Sequence, residues 1–236
     1  MLSNDDNKGY IIRLATTDDI EALTELHCAS FQPGEHVPVM LGRDYVRATY
    51  RWLVSGKQAY GLVAEIDEKI IGLIAVCDGS YTRPMFMACL PEFIAALLRS
   101  PGLLFQKRLW ERLFRRPDAT KAGKIIVDYP GFAQITIGAV DVNYRDVGVF
   151  RALVNATKFY SQQRGSRAIR VGIYKMNGPS RKVFIRGGWI ETHQLETRDT
   201  VFYVHIIDTS FPSEIGITLS QSWLERIPRV DHASKV

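Results

Sequence analysis

Between positions 132 and 164 an apolar, β-branched run passes through a short polar turn straight into an amphipathic helix. That junction limits the fold more than any other stretch of the chain. The run 132–142 reads as a strand, with Gly138 as the place for a bulge. In the helix, Phe150, Leu153, Val154, Thr157 and Tyr160 mark one face, and Gly165 supplies the stop. At such an entry the first helical N–H groups have no intrahelical partner and point outward from the positive end of the dipole. A phosphate or diphosphate fits there without many lysines. Gly148, lacking a Cβ, lets the backbone come close to such a ligand.

The rest of the chain supplies elements that can pack around this junction. Residues 10–14 form a short strand, and Thr16-Thr17-Asp18-Asp19 offers cap chemistry for a helix in which Ile20, Leu23, Leu26 and Phe31 recur at helical spacing. A Pro/Gly loop at 32–39 leads to a second helical stretch around 45–53. Two apolar runs, 60–66 and 70–77, meet at Asp67-Glu68-Lys69 and read as a hairpin. Beyond the main helix come a strand at 167–174, a short helix at 179–185 closed by Gly187-Gly188, and two strands at 189–195 and 200–207. The order predicts an α/β fold with one mixed sheet flanked by helices, spanning 1–208, and a tail at 209–236.

The charge is uneven. Residues 81–124 carry nine Lys or Arg against three acids, a balance of +6 within a chain whose total is +5, so the remainder stands at −1. The basic character belongs to one insertion after the third strand, which does not predict a nucleic-acid-binding body. No apolar run reaches the roughly 18–20 residues of a membrane span, and residues 1–10 are too polar for a signal peptide. Cys28, Cys77 and Cys89 are scattered, and the five histidines are dispersed, so a reduced cytoplasmic protein without a metal site is expected.

The segment Val140-Asp141-Val142-Asn143-Tyr144-Arg145-Asp146-Val147-Gly148-Val149-Phe150 resembles the strand–loop–helix of the GNAT (general-control-related N-acetyltransferase) superfamily, with its Arg/Gln-x-x-Gly-x-Gly/Ala signature. Arg145 and Gly148 match, and Phe150 stands where Gly or Ala is usual. Asn177-Gly178-Pro179-Ser180, Phe184 and Gly187-Gly188-Trp189 resemble that superfamily's segment after the fifth strand, and the opening 10–31 and the hairpin 60–77 resemble its first helix and central hairpin. The resemblance implies a splayed central strand and an acyl-CoA co-substrate, acetyl-CoA or another, with no metal. Val140 and Val142 would pair with the pantetheine arm. The amides of Arg145, Asp146, Val147, Gly148, Val149 and Phe150 would hold the pyrophosphate, with Asn177 and Ser180 near the arm. It further implies acyl transfer to an amine of a small molecule, a sugar amine included.

Catalytic groups are not named by the sequence. Phe184 occupies the position at which many relatives carry a proton-donating Tyr, and a phenyl ring cannot donate. Ser180 and Tyr174 are alternative donors. The fourth strand has no carboxylate, which leaves Asp141, Glu35 and His36 to be weighed as bases. A non-catalytic acyl-CoA sensor is therefore the rival reading. In the insertion, Phe93, Ile94, Leu97 and Leu98 would share one helix after Pro91, and Phe105, Leu109 and Leu113 a second, flanked by Trp110 and Phe114 and decorated by Lys107, Arg108, Arg112, Arg115 and Arg116. Such a stripe suits a lid packed on the domain or on a second subunit in a homodimer. The segment 91–116 also has the make-up for peripheral contact with a membrane surface.

Overall fold

The computed structural model describes residues 9–32, 36–113, 131–192 and 196–208. The expected tail, all of 114–124, residues 193–195 of the expected sixth strand, and Glu35 lie outside them. Seven strands form one sheet: β1 (Ile11–Leu14), β2 (Ala59–Ile66), β3 (Lys69–Asp78), β4 (Phe132–Val140), β5 (Ala168–Tyr174), β6 (Ile190–Glu191) and β7 (Thr200–Ile206). Their spatial order is β1-β2-β3-β4-β5-β7-β6. Among the described residues only β4 and β5 run parallel. They are joined through a crossover helix, whereas β2 and β3 meet at a two-residue turn with Asp67 (φ 47°) and Glu68 (φ 62°) both left-handed, as a primed hairpin requires.

Helices cover both faces: α1 (Ile20–Ser30), α2 (Val37–Leu41), α3 (Arg43–Ser55), α4 (Thr82–Ala88), α5 (Leu90–Arg99), α6 (Lys107–Leu113), α7 (Val149–Gln163) and α8 (Gly178–Arg186). Strand alternation sends Ile74 and Val76 of β3 toward Val149, Leu153 and Val154 of α7 and Phe184 of α8, and a bulge that leaves Ile71 without a partner on β2 turns Ile71 to the same face. Leu73, Ala75 and Cys77 face Leu23 and Leu26 of α1 and Val46, Tyr50 and Leu53 of α3. Asp19 ties the first strand to the first helix. It accepts from the Thr16 backbone at 2.7 Å and from both terminal nitrogens of Arg13 at 2.7 and 2.8 Å.

Several boundaries differ from the sequence reading. Helix α2 begins at Val37, inside the expected loop 32–39, with Pro38 accommodated in its first turn. Strand β4 stops at Val140 rather than 142, and of the described residues of the expected strand 189–195 only Ile190–Glu191 pair as β6. The basic insertion contains an additional helix, α4. Its apolar stripe divides: Phe93, Ala96, Leu103 and Leu109 are buried against Leu41, Tyr45 and Ala48, while Ile94, Leu98 and Phe105 stay exposed. Phe105 belongs to a 3-10 turn (Pro101–Phe105) that Pro101 and Gly102 impose, so it leaves the stripe of α6. No described helix is long and apolar enough to cross a membrane.

Candidate active site

The parallel pair is short. β4 and β5 match only from Phe132↔Ala168 to Ile135↔Val171, after which β4 continues along β3 and β5 along β7. The cause sits at the point of separation. Ile135 lies opposite Val76 and Ile137 opposite Ala75, so Thr136 is the extra residue of a bulge, and its Oγ1 donates to the Ala75 carbonyl at 3.2 Å. A bulge bends its strand and strengthens the local twist. The bulge expected at Gly138 therefore lies two residues earlier.

Beyond the bulge one edge of β4 faces the gap. The Asp141 N–H donates to the Ile71 carbonyl at 2.9 Å, so alternation turns the N–H and C=O groups of Gly138 and Val140 away from β3. The Val140 carbonyl already accepts from Arg145 Nε at 3.3 Å. Val142 is not in the strand. It belongs to a 3-10 turn (Val142–Tyr144) whose N-cap is Asp141, and its side chain is exposed. The free strand edge thus comes from Gly138 and Val140, two residues earlier than the pair Val140 and Val142.

The turn into α7 has the conformation its sequence demands. Asp146 (φ 65°) and Gly148 (φ 89°) are left-handed, and α7 starts at Val149. Among the described residues, no backbone N–H from Arg145 to Arg151 meets a protein acceptor at hydrogen-bonding geometry, and the first helical bond is Ala152 N–H to the Gly148 carbonyl at 3.0 Å. Two glycines seat this helix end. A Cβ on Gly72 would lie 2.9 Å from Val149, and one on Gly138 would lie 2.8 Å from the Phe150 ring. Phe150 thus turns inward over the sheet, edge-on to Phe184 at 6.0 Å, and leaves its own amide facing out.

Asn177 and Ser180 stand on the opposite wall. Asn177 Oδ1 accepts from the Ser180 N–H at 3.1 Å and so caps α8. Phe184, two turns into the same helix, is fully buried, stacked on Tyr203 and edge-on to Trp189. It is a core residue and does not line the cleft. Tyr174 and Ser180 do, as do the hydroxyl residues Ser30 and Tyr144.

All these elements open into one cleft of about 1620 Å³. Its wall carries Arg145, Arg151, Lys175, Lys182, Arg186 and Arg198 against Glu111, Asp146 and Asp199, an excess of positive charge. Lys182 and Arg186 fall at i and i+4 on α8, a spacing that the sequence contained and that the reading of 177–188 passed over. Glu111 brings α6, and so the insertion, to the rim.

Of the three bases weighed, Glu35 lies outside the described residues. Asp141 is engaged: the Asn143 N–H, then Lys69, hold its carboxyl below the usual range. His36 lines the cleft together with Ser30, Phe31 and Gln32. Its ring stacks on Phe31 at 4.5 Å, and its Nδ1 is 3.0 Å from Nε2 of His27. His27 is fully buried, with Nδ1 2.8 Å from the Tyr50 hydroxyl. Burial, and then the neighbouring His36, push His27 down to about 3. The sequence treated these histidines as dispersed; a helix and the following loop bring two of them into contact. No group of three or more metal-ligating side chains occurs among the described residues.

No protein-family model matches the chain, and no curated protein matches it by sequence. Solved structures do match. PaiA N-acetyltransferase from Thermoplasma acidophilum, in complex with coenzyme A, superposes with a TM-score of 0.54 at 10% identity, covering 84% of this chain and 98% of that one. The GNAT domain of S. lividans PAT gives 0.53 at 16% identity, over 83% and 89%. Arabidopsis thaliana NAA60 in complex with acetyl-CoA gives 0.52 at 16% identity, over 84% and 98%. With so little sequence in common, what persists is the backbone path, and by that path the chain has the fold of the GNAT N-acetyltransferases.

Proposed function

We propose that the protein transfers an acetyl or related acyl group from acyl-CoA to the amine of a small molecule. One observation carries this reading: the gap between β4 and β5 opens into the same cleft as the unpartnered amides at the start of α7. A thioester on a flexible arm with a diphosphate at its far end suits that combination. The diphosphate would accept from the amides of residues 145–150, where the helix dipole favours negative charge. The arm would run along the edge of Gly138 and Val140, past Asn177 and Ser180. The cationic wall suits a polyanionic co-substrate. Coenzyme A in the Thermoplasma acidophilum structure and acetyl-CoA in the Arabidopsis thaliana structure support the same choice.

An amine held in the gap would attack the thioester carbonyl directly. An outward N–H of the β4 edge is the donor available to the developing oxyanion. A thiol with a pKa of about 8.5 leaves without a strong acid beside it, so the burial of Phe184 does not remove the activity, and the hydroxyls of Ser180 and Tyr174 are in the cleft. The test is thermal unfolding with acetyl-CoA, followed by release of free CoA across an amine panel. Ligand at about 100 times its Kd stabilises by about 2.7 kcal/mol. Tight binding without turnover on any amine would favour an acyl-CoA sensor, and no stabilisation by any acyl-CoA would reject both readings.

A further inference from the structure

The basic insertion is apolar on two faces, and only one of them is buried. Helices α4 and α5 follow one path, because the Cys89 N–H donates to the Met85 carbonyl and the Phe93 N–H to the Cys89 carbonyl, both at 3.0 Å. On the inner side Phe93 and Ala96 are buried, and Phe86 meets Phe93 at 5.4 Å. On the outer side Met87, Pro91, Ile94 and Leu98 follow one another at helical spacing, and all four are exposed. In the 3-10 turn that comes next, Leu103 points inward while Leu104 and Phe105 stay outside. Trp110 Nε1 donates to the Leu104 carbonyl at 2.6 Å and fixes that turn. Leu98 is 76% exposed and Phe105 86%. We propose that this outer face binds the surface of an anionic lipid bilayer. The inference is independent of the acyl-transfer reading.

A helix apolar on both sides needs apolar matter on both sides, and one side here has only water. Charge selects what covers it. Residues 81–113 carry Arg83, Arg99, Lys107, Arg108 and Arg112 against Glu92 and Glu111, five cations to two acids and a balance of +3. Both acids are answered nearby, Glu92 by Arg51 at 3.5 Å and Glu111 by Lys107 at 3.7 Å. Asp44, on the adjoining edge of α3, is met by Arg99 at 2.7 Å. A second copy docked about a two-fold axis would set this positive balance against itself. Acidic headgroups offset it instead, while lipid chains take up the apolar side chains. Another protein would need directional polar groups to fix its orientation. Met87, Pro91, Ile94 and Leu98 offer no side-chain hydrogen-bond donor, and a fluid lipid phase requires none. The dimensions agree. From Met87 to Leu98 a helical path covers about 16 Å, enough to lie in the interfacial plane and too short to cross a bilayer. Phe105 can enter the acyl boundary while the Lys107 side chain, 87% exposed, carries its charge to the headgroups.

The test is sedimentation of the full chain with vesicles of equimolar phosphatidylcholine and phosphatidylglycerol, and with vesicles of phosphatidylcholine alone. The chain should bind the mixed vesicles and bind the neutral ones more weakly. The difference should vanish at about 1 M salt, where the screening length falls to about 3 Å. Leu98→Gln and Phe105→Ser should each lower the partition constant by about tenfold or more, the factor for withdrawing one Leu or Phe from an apolar phase. Arg83→Glu should weaken binding to the mixed vesicles alone. Ile185→Gln, at an exposed apolar position on α8, should leave binding unchanged. All four side chains are exposed, so each variant should keep the parent's urea midpoint. Absence of binding to the mixed vesicles overturns the proposal, and so does unchanged binding by both Leu98→Gln and Phe105→Ser. A dimer that forms as protein concentration rises, and that those two substitutions dissociate, overturns it in favour of a contact between copies.

Discussion

Replacing Gly138 by Ala isolates the contact that seats the start of α7. The added Cβ would sit 2.8 Å from Cε2 and 3.3 Å from Cζ of Phe150. The ring has little room to retreat, because Phe184 meets it at 6.0 Å and is itself held by Trp189 and Tyr203. Overpacking of this sort costs about 1–3 kcal/mol. Gly138 does not have a positive φ, so alanine fits the backbone and recovers about 0.4–1 kcal/mol by restricting the unfolded chain. The expected net loss for Gly138→Ala is therefore about 1–2 kcal/mol. In a Phe150→Ala background the clash is gone, and the same change should be neutral or stabilising by about 0.4–1 kcal/mol. Urea unfolding of the four proteins, with unchanged m-values, gives the coupling as a double-mutant cycle, expected at about 1–3 kcal/mol. Equal effects of Gly138→Ala in both backgrounds would refute the interlocking of strand and helix.

Two further outcomes follow from buried groups. Phe184→Tyr should not restore a catalytic donor, because the added hydroxyl enters a fully buried aromatic cluster; a loss of about 1–3 kcal/mol in urea unfolding is expected, and a gain in CoA release would contradict the placement. His27 and His205 both bind protons less readily in the folded state, down to about 3 and about 4, each through burial first and then through His36 and Lys158 respectively. Between about pH 6.5 and those values the unfolded chain holds more protons, so stability falls as pH falls, by up to about 1.4 kcal/mol per pH unit for each group. The Nδ1 of His205 is buried without a hydrogen-bond partner. His205→Leu should therefore leave stability at pH 7 unchanged or higher and halve the slope between pH 6 and 4.5, as read by urea unfolding; an unchanged slope would contradict it.

Local chemistry made much of the architecture legible. The hairpin 60–77 was readable because two alternating runs flank a short polar turn, and α7 because Leu153, Val154 and Thr157 repeat at helical spacing and are buried as that repeat requires. The positive φ of Gly148 likewise follows from a residue type that alone tolerates it without strain. What the sequence did not disclose depends on partners far away along the chain. A bulge exists only relative to the strand opposite, so Gly138 was the local candidate while the register against β3 puts it at Thr136. Gly138 serves instead to admit Phe150, a contact across twelve positions of chain.

The amino-acid order by itself determined the succession of strands and helices, the strand–turn–helix junction at 145–150 and the basic insertion, because each depends on spacing within one element or one junction. Tertiary structure alone decided where β4 parts from β5, which strand groups face the gap, that Phe184 is core, and that His27 and His36 touch. Those properties are set by register and packing between elements, and the free energies that choose them are sums over contacts that no single segment contains.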